Sequence, residues 1–351
     1  MLPVSILQEA QAELLNWQEL GMSVMEVGHR SAPFQALMAK LEADVRALLA
    51  VPDTYHVLFL GQSARTQFSM IPMNFLSESA RAGYVVSGYW SNAALTEARR
   101  LKQVYCVTTT ESQGFLKAPL VEDWYVLPDT SYVYYTPNET IHGVRIQDKP
   151  SLAGIPLVAD MTSCLFSEPV NINDYGLIFA GAQKNLALAG LTLVIIRAEW
   201  LAQSHQADLP VMMDYKPQVK AHSLYATPPV FSCYLAEKML SWLKAQGGIG
   251  AFYRRNCEKA ACLYQAIDAS ALYRCAVDPH SRSIMNVCFS LTRPSLEALF
   301  LKQAGAAGLV ALQGHRIAGG LRASLYNAMP LTGVLALVAF MRAFEEEHGA
   351  V

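Results

Sequence analysis

Seven short apolar runs lie between residues 56 and 197: "HVLFLG" (56–61), "GYVVSG" (83–88), "QVYCVTT" (103–109), "SYVYYT" (131–136), "IPLVAD" (155–160), "GLIFAG" (176–181) and "LTLVIIR" (191–197). Several are unbroken, whereas a strand with one wet face would alternate. Unbroken runs of this length mark strands buried on both faces of a mostly parallel sheet. Helical patterns fill the intervals; one runs from Ala93 to Lys102 and is introduced by Ser91-Asn92, residue types that cap helix N-termini. The order predicts a doubly wound α/β domain of about 240 residues around a seven-stranded sheet. After Trp242 the rhythm changes. "GGIGAFYRRNCEKAACLYQAID" reads as a helix, "SIMNVCFSL" as a strand, "SLEALFLKQAGAAGL" as a helix, "GGLRASLY" as a strand and "LTGVLALVAFMRAFEEEH" as a terminal helix. The expected division is a large domain over 1–246 and a smaller α+β domain over 247–351, with the amphipathic N-terminal segment placed to pack with the small domain.

Composition narrows the function. The 351 residues are 52% hydrophobic and 16% charged with a net charge of −2, and no block of Lys and Arg points to nucleic acid or an anionic membrane. The longest apolar run, Leu186 to Ile196, is interrupted by Gly190 and Thr192 and is too short to span a bilayer. The opening "MLPVSILQEAQAELLNW" lacks the basic region of a signal peptide. Seven scattered cysteines (106, 164, 233, 257, 262, 275, 288) never form CxxC, and the eight histidines never form HxH or HxxxH. These features lead us to expect a cytoplasmic protein with reduced core thiols and no metal site.

In open α/β sheets, ligands bind outside the carboxyl ends of the strands. The residues just past those ends are Gly61-Gln62-Ser63-Ala64-Arg65, then Trp90, Thr140, Asp160 and Gln183-Lys184. Together they supply a turn able to cradle phosphate, an aromatic plate, a hydroxyl, a carboxylate and a primary amine. Those are the parts needed to hold pyridoxal phosphate, with Asp160 against the pyridine nitrogen and Lys184 as the covalent and proton-moving group. Taken singly, each has a plainer reading: a solvated turn lysine, a capping aspartate, a core tryptophan, an ordinary strand-to-helix turn. Two His-Arg pairs, His29-Arg30 and His315-Arg316, and the nearby Arg322 stand out in a chain so poor in charge. Arginine grips carboxylate and phosphate through two parallel hydrogen bonds, so the substrate is expected to be a small polyanion.

With those residues in place, the sequence resembles the phosphoserine aminotransferases of the fold-type I pyridoxal-phosphate superfamily. The resemblance is carried by "GMSVMEVGHRS" (21–31), "SGYWSNAALTEA" (87–98), "YYTPNETIHGV" (134–144), "PLVADMTSCLFSEPVNINDYGLIFAGAQKN" (156–185), "SLYATPPVF" (223–231) and "GHRIAGGLRASLYNAMPLTGV" (314–334). It implies a homodimer with shared active sites and pyridoxal 5'-phosphate as cofactor. Lys184 and Asp160 would be catalytic. Ala64, Arg65, Trp90, Thr140 and Gln183 would hold the ring and phosphate, with Ala226 and Thr227 reaching in from the partner. Arg322 would take the substrate α-carboxylate, and His315 and Arg316, with His29 and Arg30 of the partner chain, the distal anion. The implied reaction moves an amino group between L-glutamate and 3-phosphohydroxypyruvate, giving phosphoserine and 2-oxoglutarate. A phosphorylated hydroxythreonine of pyridoxine synthesis is an additional implied substrate.

The chain departs from the family pattern in several places. An N-terminal strand with a Gly-Pro-Ala turn, usual ahead of the position where this chain reads "MLP", is absent, which is expected to reduce activity. Ala226 stands where asparagine is common, "GQSAR" has a single glycine, "NLALAG" replaces "NIGPAG", and Cys164 replaces a polar residue. The competing readings are another fold-type I enzyme, such as an alanine–glyoxylate aminotransferase or a cysteine desulfurase, and a cofactor-binding homologue inactivated by the missing segment.

Overall fold

The computed structural model describes residues 2–149, 151–152, 154–204 and 208–349. All seven apolar runs are strands of one sheet: β1 (Tyr55–Leu60), β2 (Arg81–Val86), β3 (Gln103–Thr109), β4 (Thr130–Tyr135), β7 (Leu157–Asp160), β8 (Leu177–Gly181) and β9 (Thr192–Arg197). A small hairpin, β5 (Asn138–Glu139) and β6 (Val144–Arg145), interrupts the series. The strand order is β1-β9-β8-β7-β4-β2-β3. Strands β3, β2, β4, β7 and β8 are mutually parallel, and β9 runs antiparallel to both β8 and β1. The carboxyl ends of β1, β2, β4, β7 and β8 therefore share one edge.

Successive side chains on a strand face opposite ways, and here both ways are apolar. Val57, Phe59, Val133, Tyr135, Ile178 and Ala180 enter one core; their neighbours Leu58, Leu60, Tyr132, Tyr134, Leu177 and Phe179 enter the other. The first core is covered by α2 (Ala32–Leu49) and α7 (Val230–Ala245), the second by α3 (Gln67–Phe75), α4 (Tyr89–Arg99), α5 (Ala198–Ala202) and α6 (Tyr215–Lys220). Each fully buried Leu or Phe contributes about 1.5–3 kcal/mol, which is why the unbroken runs determine the architecture. Helix α1 (Val4–Glu13) packs against α7, where Glu13 accepts from the Tyr234 hydroxyl and Lys238 pairs with Glu9 and Glu13. The N-terminal segment thus lies against a sheet-covering helix, and its buried Ile6 and Ala10 share a core with Ile249 and Phe252 of the C-terminal segment. Those acidic side chains find their cation and hydroxyl on α7.

A third core gathers residues of α8 (Gly248–Asp268), α9 (Glu297–Ala306) and α10 (Leu331–His348) around a three-stranded antiparallel sheet. Its strands are β10 (Tyr273–Arg274), β11 (Asn286–Leu291) and β12 (Leu321–Ser324), in that order. A buried polar seam joins this unit to the large sheet. The Asn138 amide donates to Ser163 Oγ (2.8 Å) and to Asn286 Oδ1 (2.9 Å), and its own Oδ1 accepts from Ser283 (2.5 Å). Asn327 donates its backbone N–H to Asn185 Oδ1 at 3.0 Å, beside Lys184. Among the described residues, no helix is long and apolar enough to cross a membrane.

Candidate active site

At the shared carboxyl edge of the strands lies a cavity lined by Ser63, Ala64, Arg65, Phe68, Trp90, Thr136, Asn138, Thr140, Asp160, Thr162, Ser163, Gln183 and Lys184. Eight of the residues singled out from the sequence, Ser63, Ala64, Arg65, Trp90, Thr140, Asp160, Gln183 and Lys184, come together here. They arrive from five separate strand ends, so the sheet assembles the site.

Asp160 ends β7 and is buried. Burial raises its carboxyl above the usual range, opposed by the hydrogen bond from Thr162 N–H (2.9 Å) and by the charge of Lys184. Such a carboxylate, short of charge partners, offers a strong acceptor to a protonated ring nitrogen. Lys184 follows β8 through Gly181-Ala182-Gln183 and is half-buried. No ion pair within 4.0 Å joins it to Asp160, and its Nζ lies 5.3 Å from the centre of the Tyr326 ring, a contact supplied by the C-terminal unit.

The turn after β1 carries Ser63, whose Oγ accepts from Arg65 N–H (3.3 Å) and starts a helical turn at Ala64–Thr66 that leads into α3. Thr66 N–H also bonds back to Ser63 O (2.9 Å), and the positive end of the helical start is suited to phosphate. Arg65 lines the cavity with its guanidinium 4.9 Å from the Trp90 ring centre.

Trp90 sits in the first turn of α4, which begins at Tyr89, four residues before the expected start at Ala93. Ser91 is inside the helix and does not cap it by itself. The capping group is the Glu139 carboxylate, which accepts from Trp90 N–H (3.0 Å), Ser91 N–H (2.8 Å) and Ser91 Oγ (2.6 Å). Glu139 is fully buried, and burial pushes its carboxyl up to about 7 against the pull of these donors. A cap supplied from 48 residues away leaves no mark beside the helix it caps, hence the misplaced start. "TPNETI" offered the only available signal, a lone carboxylate between buried runs. The sequence likewise gave no reason to single out Asn138, Thr136, Thr162, Ser163 or Tyr326.

The remaining predicted residues fall into two groups. Arg322 lies on β12 and His315 in the loop before it; Arg316 is exposed. The His315 ring centre is 5.9 Å from that of Tyr89, next to Trp90, and burial together with the charges of Arg322 and Arg316 lowers its basicity. Gly314 closes this loop: a Cβ there would sit 2.0 Å from the Gly319 carbonyl oxygen. His29, Arg30, Ala226 and Thr227 are elsewhere. His29 Nδ1 and Thr227 Oγ1 lie 3.3 Å apart, Ala226 and Thr227 line a small pocket with Gly61 and Gln62, and Arg30 lines another. None of the four reaches the Asp160–Lys184 cavity of its own chain.

The profile of the family described as aminotransferase class-V matches residues 1–337. The chain belongs to the class-V aminotransferase family. A phosphoserine aminotransferase of Legionella pneumophila (strain Lens) is 55% identical over 349 residues, 99% of this chain and 96% of that protein. Among solved structures, the phosphoserine aminotransferase from Bacillus circulans subsp. alkalophilus superposes with a TM-score of 0.97 at 41% identity, covering 99% of this chain and 97% of that one. A phosphoserine aminotransferase from Trichomonas vaginalis, whose structure is described as PLP-bound, has a TM-score of 0.92 at 36% identity and covers 97% of each chain. For a class-V aminotransferase, the cavity at the carboxyl edge of the sheet is where its chemistry belongs.

Proposed function

We propose that this class-V aminotransferase exchanges the amino group of L-glutamate with the oxo group of 3-phosphohydroxypyruvate, yielding O-phospho-L-serine and 2-oxoglutarate. The observation that carries this reading is the joint placement of Asp160, Trp90, Lys184 and the 63–66 turn around one cavity. A carboxylate, an aromatic wall, a primary amine and an amide-rich turn fit pyridoxal 5'-phosphate by chemistry, and relatives at up to 55% identity bear the phosphoserine aminotransferase name.

In this reading Asp160 holds the ring nitrogen protonated, Trp90 fixes the ring plane, and Ser63, Ala64, Arg65 and Thr140 hold the phosphate. When bound, the cofactor supplies an electron sink for the substrate carbanion. Lys184 Nζ would take the proton from the α-carbon of glutamate and, in the second half-reaction, deliver a proton to the α-carbon of the new amino acid. Arg322 orients the α-carboxylate. His315 and Arg316 approach the distal anion, a carboxylate in glutamate and a phosphate in phosphoserine, so one basic pocket accepts both in turn.

The reading includes a homodimer in which His29, Arg30, Ala226 and Thr227 serve the partner's site. Their clustering away from their own cavity supports it, as do the exposed apolar side chains Leu15, Met22, Met25, Met212 and Tyr225. We place the large cofactor-binding domain at 1–246 and the small one at 247–351. The test is an absorption spectrum of the purified protein with added cofactor, before and after L-glutamate. A visible band that bleaches with glutamate and returns with 3-phosphohydroxypyruvate is expected; a band indifferent to both would overturn the proposal. A neutral-substrate aminotransferase would turn over equally well after Arg30→Ala.

A further inference from the structure

Glu139 lies between two cavity-lining residues, Asn138 and Thr140, without lining the cavity itself. Its side chain is 0% exposed, an expensive place for a carboxylate unless its oxygens are well paired. All three donors to it come from the first turn of α4, two of them backbone or hydroxyl groups of Ser91 and one the backbone N–H of Trp90. Ser91 Oγ is in turn held by the N–H groups of Ser87 (2.9 Å) and Gly88 (3.2 Å), at the exit of β2. One carboxylate therefore ties the β5 segment carrying Thr140 to the helix carrying Trp90. The approach is tight: a Cβ on Gly88 would lie 2.5 Å from Glu139 Cδ. Arg65, stacked over the same indole, extends the tie to the turn after β1.

We propose that Glu139 is a positioning residue for the ring-binding wall, fixing the Trp90 indole in register with Thr140 and Arg65. It acts through α4 and touches neither substrate nor cofactor. The inference rests on the cofactor reading above and goes beyond it by assigning the orientation of the plate to a buried carboxyl group on the β5–β6 hairpin. Geometry also explains why the group is a carboxylate: it accepts on both oxygens, whereas a glutamine would turn an NH2 towards one of the N–H donors.

The test uses Glu139→Gln in the full chain, titrated with pyridoxal 5'-phosphate. Affinity is read from quenching of tryptophan fluorescence, with Trp90→Phe identifying the share due to Trp90 among the five tryptophans. Circular dichroism in the cofactor's visible band reports how the ring is held. Glu139→Gln is expected to raise the Kd about tenfold, reduce the Trp90 share of the quenching and weaken the visible dichroism, while the cofactor-free protein still melts cooperatively. A purely structural role would lower the melting temperature and leave Kd and dichroism alone; that result overturns the inference. Should Glu139→Gln fail to fold, Ser91→Ala removes the 2.6 Å donor and is expected to raise the Kd about threefold in the same titration. Unchanged Kd and dichroism there overturn the inference equally. Wild-type protein that shows no cofactor band would refute the cofactor reading instead, so the two failures are distinguishable.

Discussion

Two clusters of polar residues in this chain contrast in how they are built. Around Asp160, Glu139, Asn138 and Thr140, the groups are buried, several hydrogen-bonded more than once, and supported by strands with apolar residues on both faces. Around His29, Arg30 and Thr227, the side chains are exposed or half-exposed, and a single 3.3 Å approach links His29 to Thr227. The first cluster is complete within one chain; the second faces away from it. A buried network must satisfy its own donors and acceptors, so it is finished when the chain folds. The second cluster instead leaves a buried polar atom, His29 Nε2, without a partner among the described residues. On the function proposed above, the contrast would separate a reacting end held by one chain from a far end to which a second copy of the chain adds His29 and Arg30.

The largest expected effect breaks the first cluster. Lys184→Ala should lose multiple turnover by about a thousandfold or more while retaining cofactor, measured as steady-state phosphoserine formation. Normal turnover in that variant would remove the amine from the chemistry. Next, Arg30→Ala should lower kcat/KM for the phosphorylated oxo acid by about 10–100-fold, because a charge-assisted pair is lost. Mixing it with Lys184→Ala after dissociation and reassociation should restore about a quarter of wild-type activity, since half the dimers are hybrids and each has one intact site. No recovery on mixing would mean that Arg30 serves its own chain.

Smaller effects concern the frame. Asn138→Ala should lower the unfolding free energy by about 2 kcal/mol, measured by urea denaturation, because it strips partners from Ser163, Ser283 and Asn286 together. The smallest effect concerns the α2–α7 contact, where Asp44 meets Lys40 (2.9 Å) and Lys244 (2.6 Å). Burial raises the Asp44 pKa, but hydrogen bonds from Lys244 and Lys40 outweigh it, so its carboxyl stays below the usual range. Its folded value is the lower one, so its stabilisation is present above about pH 4 and is lost as pH falls through the folded value. With both lysines about half exposed, Asp44→Asn should cost on the order of 1 kcal/mol at pH 7 and less at pH 2. An equal cost at both pH values would show that charge is not what Asp44 contributes.

The strands show how much was readable. Each of the seven runs contains or overlaps its strand, "QVYCVTT" matches β3 residue for residue, and "LTGVLALVAFMRAFEEEH" matches α10 in the same way. The strand-end rule then located eight residues of the cavity. It misplaced the start of α4 and passed over Glu139, Asn138 and Tyr326. Its N-terminal segment lies on α7, where Glu9 and Glu13 meet Lys238.

What the chain's sequence determined unaided is therefore what local pattern can encode: which residues are buried, on how many faces, and which groups stand where a strand stops. Burial period and chain stops are properties of neighbours in sequence, so they can be read there. Only the tertiary structure decided that Glu139 caps a helix 48 positions upstream, that Tyr326 stands over Lys184, and that His29 meets Thr227 away from both. Those pairings are set by how packed layers stack, and a hydrogen bond formed across such a distance leaves no trace in the residues beside either partner.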